Sequence, residues 1–320
     1  MQQSVCRSKK FYSSNQSSRK GAYIICMRIT HEFPLQFYLN GFAEAYTDYD
    51  YCLVHRYIEN KDYREYMRAQ VNNGRIVYLD NSLYELGSSW DSEEYARIIK
   101  DLNPTYYMLP DVFNDAEKNI ESQLDFYKRY SDLASMPIAI PHAKDVITLG
   151  MATSELCLKL PSEAMIAIPF ADNSFKNEKC LEGYFNPLDI PYEPLRQAIN
   201  RKLFLKTASS VLKDRKIHLL GCKSLAEFDN WGSNFPKDNI VSLDTSHPVA
   251  MTLEDNFNYY DWGFFTLDKV KMPMHCYKPT YLIDKHFNDS FDMNSIQEDL
   301  ERNINYFQEY VNRYKSRRLY

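Results

Sequence analysis

Residues 75–111, RIVYLDNSLYELGSSWDSEEYARIIKDLNPTYYMLPD, hold one full repeat of the pattern that decides the fold. A β-branched and aromatic run, 75–79, stops at Asp80; residues 92–101 then place apolar side chains at helical spacing; a second run, 105–109, is followed by Asp111. Short apolar runs bounded by turn residues read as strands, and the 3.6-residue period between them reads as a helix. The same kind of run recurs at 51–54, 137–140, 165–168, 216–220 and 240–243, which gives seven strands, with helical stretches at 115–130, 192–213 and 224–231. Regular alternation of strand and helix implies a parallel sheet. Runs such as Met165-Ile-Ala-Ile168 are apolar throughout, as strands covered on both faces require. The expectation is an α/β protein, a single-domain (β/α)8 TIM barrel, with its eighth strand at 262–267 and a closing helix from 293 to about 314. A flavodoxin-like open sheet would need fewer strands and a glycine-rich first turn, which is absent.

Composition narrows the function. With 320 residues, 44% hydrophobic and 25% charged, the chain can bury a full-sized core. No apolar run approaches the roughly 18 residues of a membrane span, so the chain reads as cytoplasmic, without a membrane partner. Seven scattered cysteines, none in a C-x-x-C pair, argue against a disulfide framework and against a thiolate zinc site. Nine glycines form neither G-x-G-x-x-G nor G-x-x-x-x-G-K, so a nucleotide cofactor is not expected. No H-x-H, H-E-x-x-H or G-x-S-x-G stands out either. The net charge of −5 means that a polynucleotide would have to be held by local basic patches. Residues 1–26 carry Arg7, Lys9, Lys10, Arg19 and Lys20 among serines, with no acid before Glu32, and read as a disordered basic extension ahead of a domain over 27–320. A transit peptide is the alternative, and Met27 is a candidate start.

In a (β/α)8 barrel the active site lies at the carboxyl ends of the strands. Asp80 ends the second visible strand, Asp111 the third, His142 follows the fourth and Asp244 ends the seventh. Any one such aspartate is as readily a helix N-cap. Three around one mouth, however, could have their pKa values pushed apart and so take different roles.

Asp80-Asn81-Ser-Leu-Tyr84-Glu-Leu-Gly87, Asp111, His218-Leu-Leu220-Gly221 and Asp244-Thr-Ser-His247-Pro248, in that order, resemble the marks of tRNA-guanine transglycosylases. The likeness is closest to the phage-type branch that inserts 7-deazaguanines into DNA, and it spans about residues 51–250. The resemblance implies that Asp244 is the nucleophile at C1′ of the target nucleotide and Asp80 the acid/base serving the leaving and incoming bases. It also implies that Asp111 accepts hydrogen bonds from the guanine-like ring, that Tyr84 stacks on that ring, and that Leu220 and Gly221 close the pocket. Asn81 and His142 join the substrate-binding set. The chemistry is coherent: a carboxylate can trap an oxocarbenium-like sugar, and a second, neutral acid can protonate the departing base.

Two departures matter. The tRNA enzymes carry a C-x-C, C, H zinc subdomain near the carboxyl end. Here only His275-Cys276 remains, so no structural zinc is expected and DNA is favoured over tRNA as substrate. Pro169 stands on the fifth visible strand, where the family uses backbone amides around the base, and it has no N–H to give. Arg196, Arg201, Lys202, Lys206, Lys213, Arg215 and Lys216 form a basic stripe, of which Arg196, Lys202, Lys206 and Lys213 are candidate phosphate contacts; Arg313, Lys315, Arg317 and Arg318 crowd the end. The expected partners are DNA, alternatively tRNA, and a 7-deazaguanine base; a homodimer stays open, and a phage-encoded chain would work in host cytoplasm. The rivals are a catalytically silent barrel subunit and an unrelated glycoside hydrolase.

Overall fold

Short strands of wholly buried residues need cover on both faces, and the chain supplies it. A computed structural model describes residues 27–175, 193–228, 235–255, 264–267, 270–273 and 283–316. Eight strands, β1 (Arg28–His31), β2 (Asp50–Leu53), β3 (Val77–Asp80), β4 (Tyr106–Met108), β5 (Met136–Ala139), β6 (Met165–Pro169), β7 (Ile217–Leu220) and β8 (Ile240–Thr245), form one sheet. Every hydrogen-bonded pair in it is parallel, in the order β1-β8-β7-β6-β5-β4-β3-β2. Neighbours in sequence are neighbours in space, and β1 sits beside β8, so the sheet wraps into a barrel. At the remaining seam the Asp48 N–H donates to the Ile29 carbonyl (2.8 Å), the Ile29 N–H to the Asp48 carboxylate (2.8 Å) and the Thr30 hydroxyl to the Tyr49 carbonyl (2.7 Å). This is a (β/α)8 TIM-barrel-like fold in one domain.

The crossovers include α1 (Leu35–Leu39) and α2 (Phe42–Tyr46) after β1, α3 (Val54–Glu59) and α4 (Lys61–Asn72) after β2, and α5 (Leu83–Leu86) and α6 (Ser92–Leu102) after β3. Then come α7 (Ala116–Arg129), α8 (Val146–Lys159), α9 (Glu193–Thr207) with α10 (Ser209–Leu212), α11 (His247–Asp255) and the closing helix α12 (Met293–Ser316). Asp91, Asp115 and Asp145 cap α6, α7 and α8 by accepting backbone N–H bonds, which satisfies donors that a helix start leaves orphaned. Among the described residues no helix is long and apolar enough to cross a membrane.

Alternate strand residues fill the barrel interior: Tyr51 and Leu53, Tyr106 and Met108, Ile138 and Ile140, Met165 and Ala167. Tyr49 and Tyr78 join them, their rings 4.4 Å apart, with the Tyr78 hydroxyl against Ser242 at 3.1 Å. Tyrosine suits this layer because the ring fills volume while its hydroxyl finds a partner. The opposite strand faces pack on the helices in a second, larger apolar layer.

One expectation is corrected. The eighth barrel strand is Arg28–His31, not 262–267. Phe264–Leu267 (β9) pairs antiparallel with Val270–Pro273 (β10) in a separate two-stranded sheet, and Trp262 lies outside the described residues. β1 escapes an apolar scan because only Ile29 in it is hydrophobic. Thr30 and His31 are nonetheless buried, at 1% exposure each, and Thr30 is satisfied by the seam hydrogen bond rather than by apolar contact. Residues 1–26, His275 and Cys276, Arg317 and Arg318 also lie outside the described residues, and with them the readings placed on those positions.

Candidate functional site

The carboxyl ends of the strands surround a cavity of about 190 Å³. Asp80, Asp111 and Asp244 all line it, and so do Asn81, Tyr84, His142, Leu220 and Gly221. Each substrate-site residue read from the sequence therefore reaches one cavity. None of the three aspartates is a helix cap. Asp115 caps α7 in place of Asp111, the Thr245 hydroxyl rather than Asp244 accepts the His247 N–H at the start of α11 (3.0 Å), and Asp80 stands two residues before Ser82, which precedes α5.

The three acids sit in different surroundings. Asp80 ends β3; its Oδ2 accepts the Tyr51 hydroxyl and its Oδ1 the Ser82 N–H, both at 2.5 Å. The second bond turns the chain sharply, leaving Ser82 at φ 61° in the left-handed region, a conformation costing a non-glycine residue about 1–2 kcal/mol. Burial pushes the Asp80 carboxyl up to about 7, against the pull of the Tyr51 and Ser82 hydrogen bonds, with the negative charges of Asp111 and Asp244 adding to the rise. Such a group can both give and take a proton near neutrality.

Asp111 follows β4. Its Oδ1 accepts the Asn81 Nδ2–H at 2.9 Å, and its Oδ2 lies 2.7 Å from His142 Nε2. Asn81 is fully engaged here, because it also donates to the Leu109 carbonyl and accepts from the Leu83 N–H, at 3.0 Å each. His142 Nδ1 lies 2.7 Å from Asp172 Oδ2. Burial works to discharge the imidazole, but the two flanking carboxylates outweigh it and lift the pKa to about 9.

Asp244 lies in β8. Its Oδ1 accepts the Gly221 N–H at 2.9 Å, and Gly221 reaches that position at φ 67°, where glycine bears no Cβ strain. His218 Nε2 is 3.0 Å from the same oxygen but is not aligned with it as a hydrogen bond; the ring is fixed through Nδ1 against Ser242 at 3.0 Å. Oδ1 is thereby tied down, and Asp244 lines the cavity.

Leu220 and Gly221 act as a wall. The Leu220 carbonyl already accepts the Phe170 N–H (2.8 Å) and Arg201 (2.8 Å), and the Gly221 amide is spent on Asp244. Pro169 and Phe170 line the same side. Tyr84 stands at the rim, 47% exposed. Lys223 faces it, with Nζ 3.1 Å from the Tyr84 hydroxyl and 5.0 Å from the ring centroid.

The basic stripe does not hold together. Arg201 is fully buried: it pairs with Glu227 through two contacts of 2.5 Å and reaches the Ile168 carbonyl at 2.9 Å. Arg215 is turned inward onto the carbonyls of Cys157, Leu160 and Pro161. Lys213 is exposed, but its carbonyl accepts Asn239 Nδ2–H (2.7 Å) just before β8 begins, which places it at the end of the barrel opposite the cavity. Lys206 lies exposed in the last turn of α9. Arg196 and Lys202 stand nearer the carboxyl ends, because Asn200 and Arg201 between them reach Phe175, Ile168 and Leu220.

Sequence reasoning missed Asp172, Tyr51, Glu32, Phe113, Phe170 and Lys223. Asp172 closes the run Ile168-Pro-Phe-Ala-Asp172 after β6 and carried the same strand-end signal as the acids that were found. Compared with known proteins, the chain matches no family model and no curated protein.

Proposed function

We propose that this chain is a base-exchanging pentosyltransferase, which replaces guanine in a polynucleotide, DNA first, by a 7-deazaguanine such as the 7-cyano form. The observation that carries the reading is the meeting of three strand-end carboxylates in one cavity, each in its own electrostatic setting. Asp244 attacks C1′ through a carboxylate oxygen. The C1′–N9 bond breaks, its electron pair leaves with the base, and a covalent glycosyl-aspartate remains. Asp80, with its pKa raised to about 7, gives its proton to the departing guanine and recovers one from N9 of the incoming base, whose attack on C1′ releases Asp244. Asp111 accepts hydrogen bonds from the ring edge, and Tyr84 offers an aromatic face at the rim once Lys223 moves off it. A cavity of about 190 Å³ is small beside the roughly 300–1,000 Å³ of drug-sized sites. It suits one flipped base better than the groove of a glycoside hydrolase.

The test is Asp244→Asn. Exchange of labelled guanine falls by at least about 10³-fold, as for loss of a covalent nucleophile, and the denaturant-stable protein–nucleic acid adduct of the wild type disappears while the fold is kept. Undiminished exchange in the variant would remove the reading. Running duplex DNA and tRNA in parallel decides the polynucleotide: exchange on tRNA alone would replace DNA by tRNA.

A further inference from the structure

His142 has a carboxylate oxygen at 2.7 Å from each ring nitrogen, Asp111 on one side and Asp172 on the other. All three side chains are buried, at 1%, 3% and 2% exposure. A neutral imidazole has one N–H and one lone pair, so in this arrangement its lone pair would face a carboxylate. Two N–H donors are needed, and only the imidazolium has them.

The outer oxygens of both carboxylates are also engaged. Asp172 Oδ1 accepts both the N–H (2.8 Å) and the hydroxyl of Ser174, and the Ala143 N–H approaches its other oxygen at 3.4 Å. Asp111 Oδ1 accepts from Asn81, with the Ser89 hydroxyl at 3.4 Å. Donors thus surround both carboxylates, and the proton they share rests on the ring between them. The edge of Phe113 packs against the imidazole with ring centroids 4.9 Å apart.

We propose that Asp172 and His142 are positioning residues that hold Asp111 correctly turned as a hydrogen-bond acceptor, and so set which base edge the cavity accepts. This inference rests on the base-exchange reading and adds to it the origin of base discrimination. An Asp111 that meets a donor on each oxygen presents itself to the cavity as an acceptor only. It favours a ring edge presenting adjacent N–H donors, as a 2-amino-6-oxopurine does, and repels an edge with a bare ring nitrogen, as a 6-aminopurine has. Removing the outer carboxylate withdraws the reason for His142 to stay protonated. The ring can then turn its lone pair toward Asp111, which loses its fixed donor there, and the preference between the two edges shrinks.

The test is calorimetric binding of guanine, hypoxanthine and adenine to the full-length wild type, Asp172→Asn and His142→Gln, together with KM and kcat for guanine exchange. The wild type binds guanine tightest and adenine weakest. In Asp172→Asn guanine binding weakens by about tenfold, as expected from loss of one charge-assisted hydrogen bond, adenine binding does not weaken, and KM rises far more than kcat falls. His142→Gln shows the same collapse of the guanine-to-adenine ratio. General loosening of the pocket would instead weaken all three bases together. Equal losses for all bases, or an unchanged ratio in both variants, overturn this inference while leaving base exchange standing. A wild type that binds none of the bases overturns both.

Discussion

Asp80 joins two demands that conflict in a folded protein. A carboxyl whose pKa is raised from 3.8 to about 7 by burial is useful as an acid/base, but it weakens the fold wherever it ionises. The stabilising contribution is complete below the unfolded value of 3.8 and is lost as pH rises through about 7. Asp80→Asn, which cannot ionise, is therefore expected to be more stable than the wild type at pH 8, by about 4 kcal/mol, with the difference vanishing below pH 4. Urea unfolding of both proteins at the two pH values measures this. On the proposed function, the same variant is expected to lose base exchange by about 10²–10⁴-fold. A variant less stable at pH 8 than at pH 4, relative to wild type, would contradict the burial account of Asp80.

At the scale of elements, the site depends on how α9 is tied to the ends of β6 and β7. Arg201 spans that junction: its guanidinium takes the Ile168 and Leu220 carbonyls, the Cys222 thiol at 3.1 Å and the Glu227 carboxylate, and it lies 5.0 Å from the Phe170 ring centroid. Leu220, Cys222 and Phe170 all line the cavity, so this helix anchor also shapes the wall of the site. Breaking a buried ion pair leaves an uncompensated charge, and Arg201→Ala should cost about 3–5 kcal/mol. Lys206→Ala, on the exposed side of the same helix, should cost under about 0.5 kcal/mol. Thermal unfolding of the two variants separates a structural arginine from a solvated lysine; similar losses in both would refute the distinction.

At the scale of the whole molecule, burial acts on three of the described histidines with opposite outcomes. His142 is held charged, whereas burial pushes His31 and His247 down from 6.5 to about 3. A depressed histidine stabilises the fold fully above its unfolded value, and that contribution is lost as pH falls from about 6.5 toward 3. His31 sits in β1 beside the seam and His247 opens α11 directly after β8, so acid loads the closure of the barrel. Asp80 works the other way over this window, but with two histidines against one carboxyl the unfolding free energy should still drop by a few kcal/mol between pH 6.5 and 4, and His247→Gln should flatten that limb. A stability profile level across the window in the wild type would contradict this.

The sequence by itself determined the alternation of strand and helix and the face on which the acids stand. Both are local: a short apolar run ends at a polar residue at the carboxyl end of the strand, and Asp80, Asp111 and Asp244 mark such endings. It did not reveal β1, whose Thr30 and His31 are buried without an apolar pattern, so that 262–267 took its place in the count. Nor could it show that Arg201 and Arg215 turn inward while Lys213 stands at the far end, because a charge run has the same letters whether solvated or buried. Only the tertiary structure decided the protonation of the site. His142 meets Asp111 from 31 residues away and Asp172 from 30, and the pKa of Asp80 is raised by burial and by the charges of Asp111, after β4, and Asp244, in β8. Desolvation and through-space charge act between groups that only the closed barrel brings together.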